Sequence, residues 1–175
     1  MKGIRIIRSG ISVYEVEVDL GRYSCLTTAE ISGFRTKLLR LFPSLRKHEC
    51  YASEVGGFVR ELDRGTDLAH VMEHIILELL KMASRSRRRF TGWTRKKSKN
   101  HVIHFQAPDA HAAREAALGA IEVIEGIIGG NRVNAQMLIK EIRNSKDGSV
   151  KEKSGKNKMG NSRSVKAESP KHRGL

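Results

Sequence analysis

The sequence predicts an α+β fold: a small mixed sheet packed by two long helices, with a disordered basic C-terminal tail. Three observations predict it. Apolar residues alternate near the N-terminus and again over His101–Gln106, with the period of two that a half-buried strand requires. The stretches Leu68–Met82 and Ala110–Ile128 carry apolar residues at helical spacing. After Asn144 apolar residues nearly vanish and Lys, Ser, Gly and Asn dominate, a composition that buries too little surface to fold alone. The 175 residues are therefore read as one domain over 1–144 and a tail over 145–175.

In chain order, Ile4, Ile6 and Ile7 and then Val13, Val16 and Val18 predict two strands interrupted at Ser9-Gly10, the second ended by Gly21. A helix is expected over Ser32–Phe42, with Phe34, Leu38, Leu41 and Phe42 on one face and Pro43 as its stop. Residues 46–57 read as a loop, whose paired Gly56-Gly57 implies an unusual backbone or a close approach. Phe58–Leu62 fits either a short helix or a strand. Thr66 or Asp67 caps the clearest helix, which runs to about Met82 with Leu68, Val71, Ile75, Leu79 and Met82 on its apolar face. Pro108-Asp109 opens the second long helix and Gly129-Gly130 closes it; a shorter one spans Val133–Arg143.

The formal net charge is +14, about six units of it in the tail. Such a chain tends to meet anionic partners: acidic polymer, nucleic acid or membrane surface. A soluble basic protein with a basic tail is the plainer alternative. Two cysteines, Cys25 and Cys50, are too few for a disulfide scaffold. The N-terminus carries charges inside its apolar run, unlike a signal peptide, and no apolar stretch of about 18 residues exists. A cytoplasmic protein without membrane contact is expected.

The chemistry concentrates in His70-Val71-Met72-Glu73-His74. Two histidines four apart on a helix stack on one face, about 6 Å apart along the axis. The order H-x-x-E-H is that of the inverzincin metallopeptidases. Neutral imidazoles hold Zn²⁺ without cancelling its charge, and the ion lowers the pKa of bound water toward about 7. Glu73 is then the candidate base. The competing reading is a polar helix face with two solvated histidines. A catalytic zinc needs a third protein ligand and an open position. Cys50, in His48-Glu49-Cys50, is the preferred third ligand, against the commoner fate of a lone cysteine as a small buried hydrophobe. Glu78, one turn past His74, is expected to orient His74 from outside the ligand set. His48, His111, Glu115 and Glu122 are the remaining alternatives.

These residues also carry a resemblance. Asp19-Leu20-Gly21, Ile31-Ser32-Gly33-Phe34, Leu38-Leu39, Leu41-Phe42-Pro43-Ser44-Leu45, His48-Glu49-Cys50, Gly56-Gly57-Phe58-Val59, Gly65-Thr66, His70–His74 and Leu77-Glu78-Leu79 come in one order. Weaker echoes follow at Gly92, Thr94-Arg95 and Arg114. Over roughly residues 11–130 the chain resembles the N-terminal domain of cyanophycin synthetase. In that family the domain accompanies an ATP-grasp ligase and a Mur-ligase-like ligase, which build an aspartate polymer carrying arginine side groups. The resemblance implies a domain that holds the polymer and, in some members, cuts it at a metallopeptidase-like site, with His70 and His74 on zinc and Glu73 as base. The chain stops before any ligase module, so polymer synthesis is not expected of it. Three departures bear on the substrate: the basic stretch 85–99 replaces a mostly neutral segment, the tail has no counterpart, and His111 stands where an acidic residue is usual.

Arg85 to Lys99 carries eight cationic side chains, with Phe90 and Trp93 among them and no acidic residue. Arg85, Arg87, Arg88, Arg89, Trp93 and Arg95 are the candidate substrate contacts. Cations with aromatics suit phosphates and bases, and equally the carboxylates of an acidic chain, where Arg engages two oxygens at once. A solvated surface loop is the alternative. A polymer with exposed arginines would be repelled here unless its carboxyl termini are gripped. Three functions follow: a Zn²⁺ hydrolase of peptide or isopeptide bonds in a polyamide, a non-catalytic module binding an anionic or zwitterionic polymer, or a nucleic-acid binder. The last lacks a helix-turn-helix, zinc-finger or RRM signature.

Overall fold

A computed structural model describes residues 3–50, 54–84, 88–97 and 100–144. The tail 145–175 and the candidate contacts Arg85 and Arg87 lie outside the described residues.

Strands β1 (Gly3–Arg8) and β2 (Val13–Asp19) form a hairpin across the predicted break. Along β2, Tyr14, Val16 and Val18 are buried while the residues between them are half-buried, the alternation of a one-sided sheet. Helix α1 (Phe34–Leu41) starts two residues later than expected, because Gly33 at φ +67° takes the left-handed conformation and ends the preceding turn. Pro43 then opens a 3₁₀ turn over Pro43–Lys47. A minimal hairpin of β3 (Glu49–Cys50) and β4 (Glu54–Val55) follows. Helix α2 (Gly57–Arg64) decides the ambiguity at Phe58–Leu62 in favour of helix, with Phe58 and Leu62 buried.

Helix α3 (Leu68–Ala83) is the axis of the molecule. Asp67 caps it, accepting the His70 backbone N–H at 2.9 Å. All its residues except Leu77, Lys81, Met82 and Ala83 are buried. Val71, Met72, Ile75, Ile76, Leu79 and Leu80 are almost wholly removed from water, each contributing about 1.5–3 kcal/mol. That sum outweighs burying His70, Glu73, His74 and Glu78 on the same helix, since these keep hydrogen-bond partners.

The chain returns to the sheet as a second hairpin, β5 (Gly92–Lys97) and β6 (Asn100–Gln106). The strand order is β1-β2-β6-β5. Every pairing is antiparallel, not mixed as expected. Two hairpins of sequence neighbours meet through β2 and β6, and that join needs no parallel crossover. Helix α4 (Ala110–Gly129), capped by Asp109, packs beside α3, and a Cβ on Gly119 would meet Leu79 Cδ1 at 3.2 Å. Helix α5 (Ala135–Asn144) closes against both with Leu138, Ile139 and Ile142. The α+β class is as predicted. Among the described residues no helix is long and apolar enough to cross a membrane.

Candidate metal centre

His70 and His74 do not face water: they are 6% and 4% exposed. The solvated-face reading of the motif is thereby removed. One helical turn brings His70 Nε2 and His74 Nε2 to 3.2 Å. Cys50 arrives from β3, its Sγ 3.2 Å from His70 Nε2. The ligand-capable atoms of Cys50, His70 and His74 all lie within 4.8 Å of one another. Gly57 makes this approach feasible, because a Cβ there would stand 3.0 Å from the Cys50 backbone nitrogen. The paired glycines thus supply both features expected of them: a left-handed turn at Gly56, φ +81°, and a close contact at Gly57.

The far side of each ring is anchored. Thr66 Oγ1 lies 2.8 Å from His70 Nδ1. His48 Nδ1 lies 3.1 Å from His74 Nδ1, and His48 Nε2 lies 2.7 Å from Glu78 Oε2. Ser44 donates its hydroxyl to the other Glu78 oxygen. Burial pushes the Glu78 carboxyl up, but the bonds from His48 and Ser44 and the nearby Lys81 charge together hold it below its ordinary value. An ionised Glu78 accepts from His48 Nε2–H, and with His48 neutral its Nδ1 accepts from His74 Nδ1–H. The assignment leaves the His74 Nε2 lone pair facing His70 and Cys50. Burial lowers the His70 pKa; burial and then the neighbouring His70 and His48 hold that of His74 well below the usual value. Both rings are therefore neutral near pH 7, as metal ligation requires. Phe58 stacks on His74 with ring centroids 3.9 Å apart, fixing the ring plane.

One sulfur and two imidazole nitrogens are donors that zinc favours, and among the described residues the cluster has these three members, which would hold the ion. Beside it stands Glu73, 6% exposed, its Oε2 accepting from Thr94 Oγ1 at 2.7 Å. Burial raises its pKa against the lowering effect of the Thr94 bond. All four residues line one open cavity of about 830 Å³, bordered by residues 47–50 on one side and 88–94 on the other.

Other candidates fall differently. Glu78 touches His48 rather than His74, so it orients His74 through an intervening ring. His111 is exposed at the start of α4; it, the half-buried Glu115 and the exposed Glu122 all lie outside the cavity, on the helix that packs beside α3. Arg88 and Arg89 line the cavity, and Arg89 pairs with Glu49 at 2.6 Å. Trp93 borders the cavity but stacks at 4.8 Å on His104, on the sheet face turned away from α3. Arg95 is exposed and outside the cavity lining. Thr66, Phe58 and Thr94 escaped the sequence reading. Each comes from a different part of the chain, and although all three lie in stretches that carry the resemblance, none was singled out for the site.

The fold and the centre together define a small α+β domain with a buried Cys/His/His cluster and an adjacent buried carboxylate. The family model described as the cyanophycin synthase-like N-terminal domain matches residues 15–129, and the chain belongs to that family. It is similar to the cyanophycin synthetases of Synechocystis sp., 28% identical over 134 residues and 75% of this chain, and of Geminocystis herdmanii, 30% identical over 119 residues and 67% of this chain. The cyanophycin synthetase of Nostoc sp. is 28% identical over 136 residues. The chain spans about 15% of the length of the Synechocystis relative and 13% of the Geminocystis one.

Proposed function

We propose that the chain is a zinc-dependent hydrolase of amide bonds in a polyamide such as cyanophycin. The observation that carries this reading is the convergence of Cys50, His70 and His74 beside the buried Glu73 in the lining of one open cavity. A zinc ion held there would supply Lewis acidity toward a water and a substrate carbonyl. Glu73 takes one proton from the attacking water and returns it to the leaving amide nitrogen, so that a carboxylic acid and an amine replace the amide. Burial suits Glu73 to this, since a raised carboxyl pKa makes it a stronger base. Thr94 holds one of its oxygens and leaves the other for the water. His48, Glu78 and Thr66 keep the two ligand rings turned toward the ion.

The test is elemental analysis of protein purified without an affinity tag, followed by incubation with purified cyanophycin. About one zinc per chain is expected, absent from His74→Ala. Glu73→Gln keeps its zinc and loses at least a hundredfold in hydrolysis, the scale of removing a general base. Protein that holds no zinc after reconstitution, or a Glu73→Gln variant as active as the parent, sinks the reading. A second reading, a module that binds an anionic or zwitterionic polymer without cutting it, draws on Lys47, Lys81 and Arg88 around the cavity. It requires binding that weakens with salt and ignores chelator.

A further inference from the structure

Strand β5 is an edge of the four-stranded sheet, and it is the edge beside the cavity. Its main chain has a definite orientation. Gln106 donates its N–H to Thr91 O at 3.0 Å, which puts Thr91 in a hydrogen-bonded pair with β6. In an antiparallel ladder such pairs alternate with pairs whose N–H and C=O point outward. With Gly92 opposite Phe105 and Thr94 opposite Ile103, Trp93, Arg95 and Lys97 bond to β6. Gly92, Thr94 and Lys96 turn their N–H and C=O to the open edge. Among the described residues no strand pairs with that edge.

Gly92 and Thr94 are also where β5 meets the candidate base. Thr94 holds Glu73 at 2.7 Å, and a Cβ on Gly92 would approach Glu73 Cγ at 3.3 Å. The outward main-chain groups therefore lie next to the group that would activate water. We infer that the substrate docks as an added antiparallel or parallel strand along the open edge of β5, read through its main chain, and that it is an extended polyamide bearing free carboxylates. What happens to it next rests on the hydrolytic reading, whereas the docking itself needs no metal. An unpaired edge is a template for any extended chain, so charge must choose among them. Lys47, Lys81 and Arg88 line the cavity, and Arg95, Lys96 and Lys97 follow along β5. Two β5 edges repel each other with six cations, while a chain carrying carboxylates meets complementary charge along the strand.

Trp93 is the chain's single tryptophan and lies on this strand, so its fluorescence reports docking. The experiment titrates zinc-loaded Glu73→Gln protein with a synthetic oligo-L-aspartate and with analogues N-methylated at one amide each. Methylation is expected to weaken binding about fivefold at every second position and less than about twofold between, since alternate amides face β5 and one lost hydrogen bond is worth about 1 kcal/mol. Lys96→Pro removes an outward N–H at an edge position where proline is tolerated. It is expected to weaken binding several-fold beyond Lys96→Gln, which removes the charge alone. Uniform effects of methylation, or no binding of oligo-aspartate, overturn the proposal even when zinc is present. A period of two in protein that binds no zinc leaves the docking standing and the hydrolytic reading fallen.

Discussion

His48 shows how a residue outside the ligand set governs one inside it. Its ring bridges His74 Nδ1 and Glu78, at 3.1 and 2.7 Å, and with His48 neutral this leaves the lone pair on His74 Nε2. His48→Ala is expected to lower zinc affinity about 10–100-fold, the range found when such outer partners of a metal-bound histidine are removed. Competition against a chromophoric chelator measures it, and His111→Ala, altering an exposed residue outside the cavity, should change nothing. Equal affinities of His48→Ala and the parent would show that the bridge does not orient His74. At this scale the sequence was legible where spacing alone decides. His70, Glu73 and His74 share a helical turn, and helix geometry brings them together without knowledge of the fold. Cys50 was legible only as a chemical type awaiting a place. Glu78 was legible as a residue turned toward His74, but not the His48 ring that stands between them after the 3₁₀ turn opened by Pro43.

Strand β5 is the element that the sequence hid. Gly92-Trp93-Thr94-Arg95-Lys96-Lys97 has little apolar alternation, because an edge strand buries little and here only Gly92 and Thr94 are even half-buried. The same charges that made a solvated loop a fair alternative are those of a protected sheet edge. Its tight point is Gly92, where a Cβ would stand 2.8 Å from the His104 carbonyl oxygen and 3.3 Å from Glu73 Cγ. The first neighbour is backbone and cannot swing aside. Gly92→Ala is therefore expected to destabilise the domain by about 1–3 kcal/mol, the scale of overpacking, and to displace Glu73, lowering hydrolysis more than zinc content. Urea unfolding beside elemental analysis separates the two; a variant as stable as the parent would mean that β5 yields easily. By contrast α3 and α4 were plain in the sequence, since long apolar faces with Asp caps leave few alternatives.

For the whole molecule, the centre ties together parts of the chain that unfolding would separate. Cys50 lies on β3, and His70 and His74 lie on α3, with all of α2 between them. An unfolded chain presents these groups far apart, so an ion that prefers their folded arrangement stabilises the fold by mass action. At a free zinc concentration of a hundred times Kd the gain is about 2.7 kcal/mol. For a domain of this size each kcal/mol moves Tm by roughly 2–4 °C, so zinc is expected to raise Tm by roughly 5–10 °C and EDTA to reverse it. The sign is fixed by which state binds more tightly, whatever reaction follows. His74→Ala should abolish the shift, although its own Tm falls with the loss of the Phe58 stacking contact at 3.9 Å; the comparison is therefore of each protein with and without metal. Glu73→Gln should keep the full shift, because Glu73 is outside the ligand cluster. A Tm indifferent to zinc in the parent, read by differential scanning calorimetry, would mean that the three donors do not act as one site. The hydrolytic reading would then lose its foundation, while an acidic chain could still add to β5.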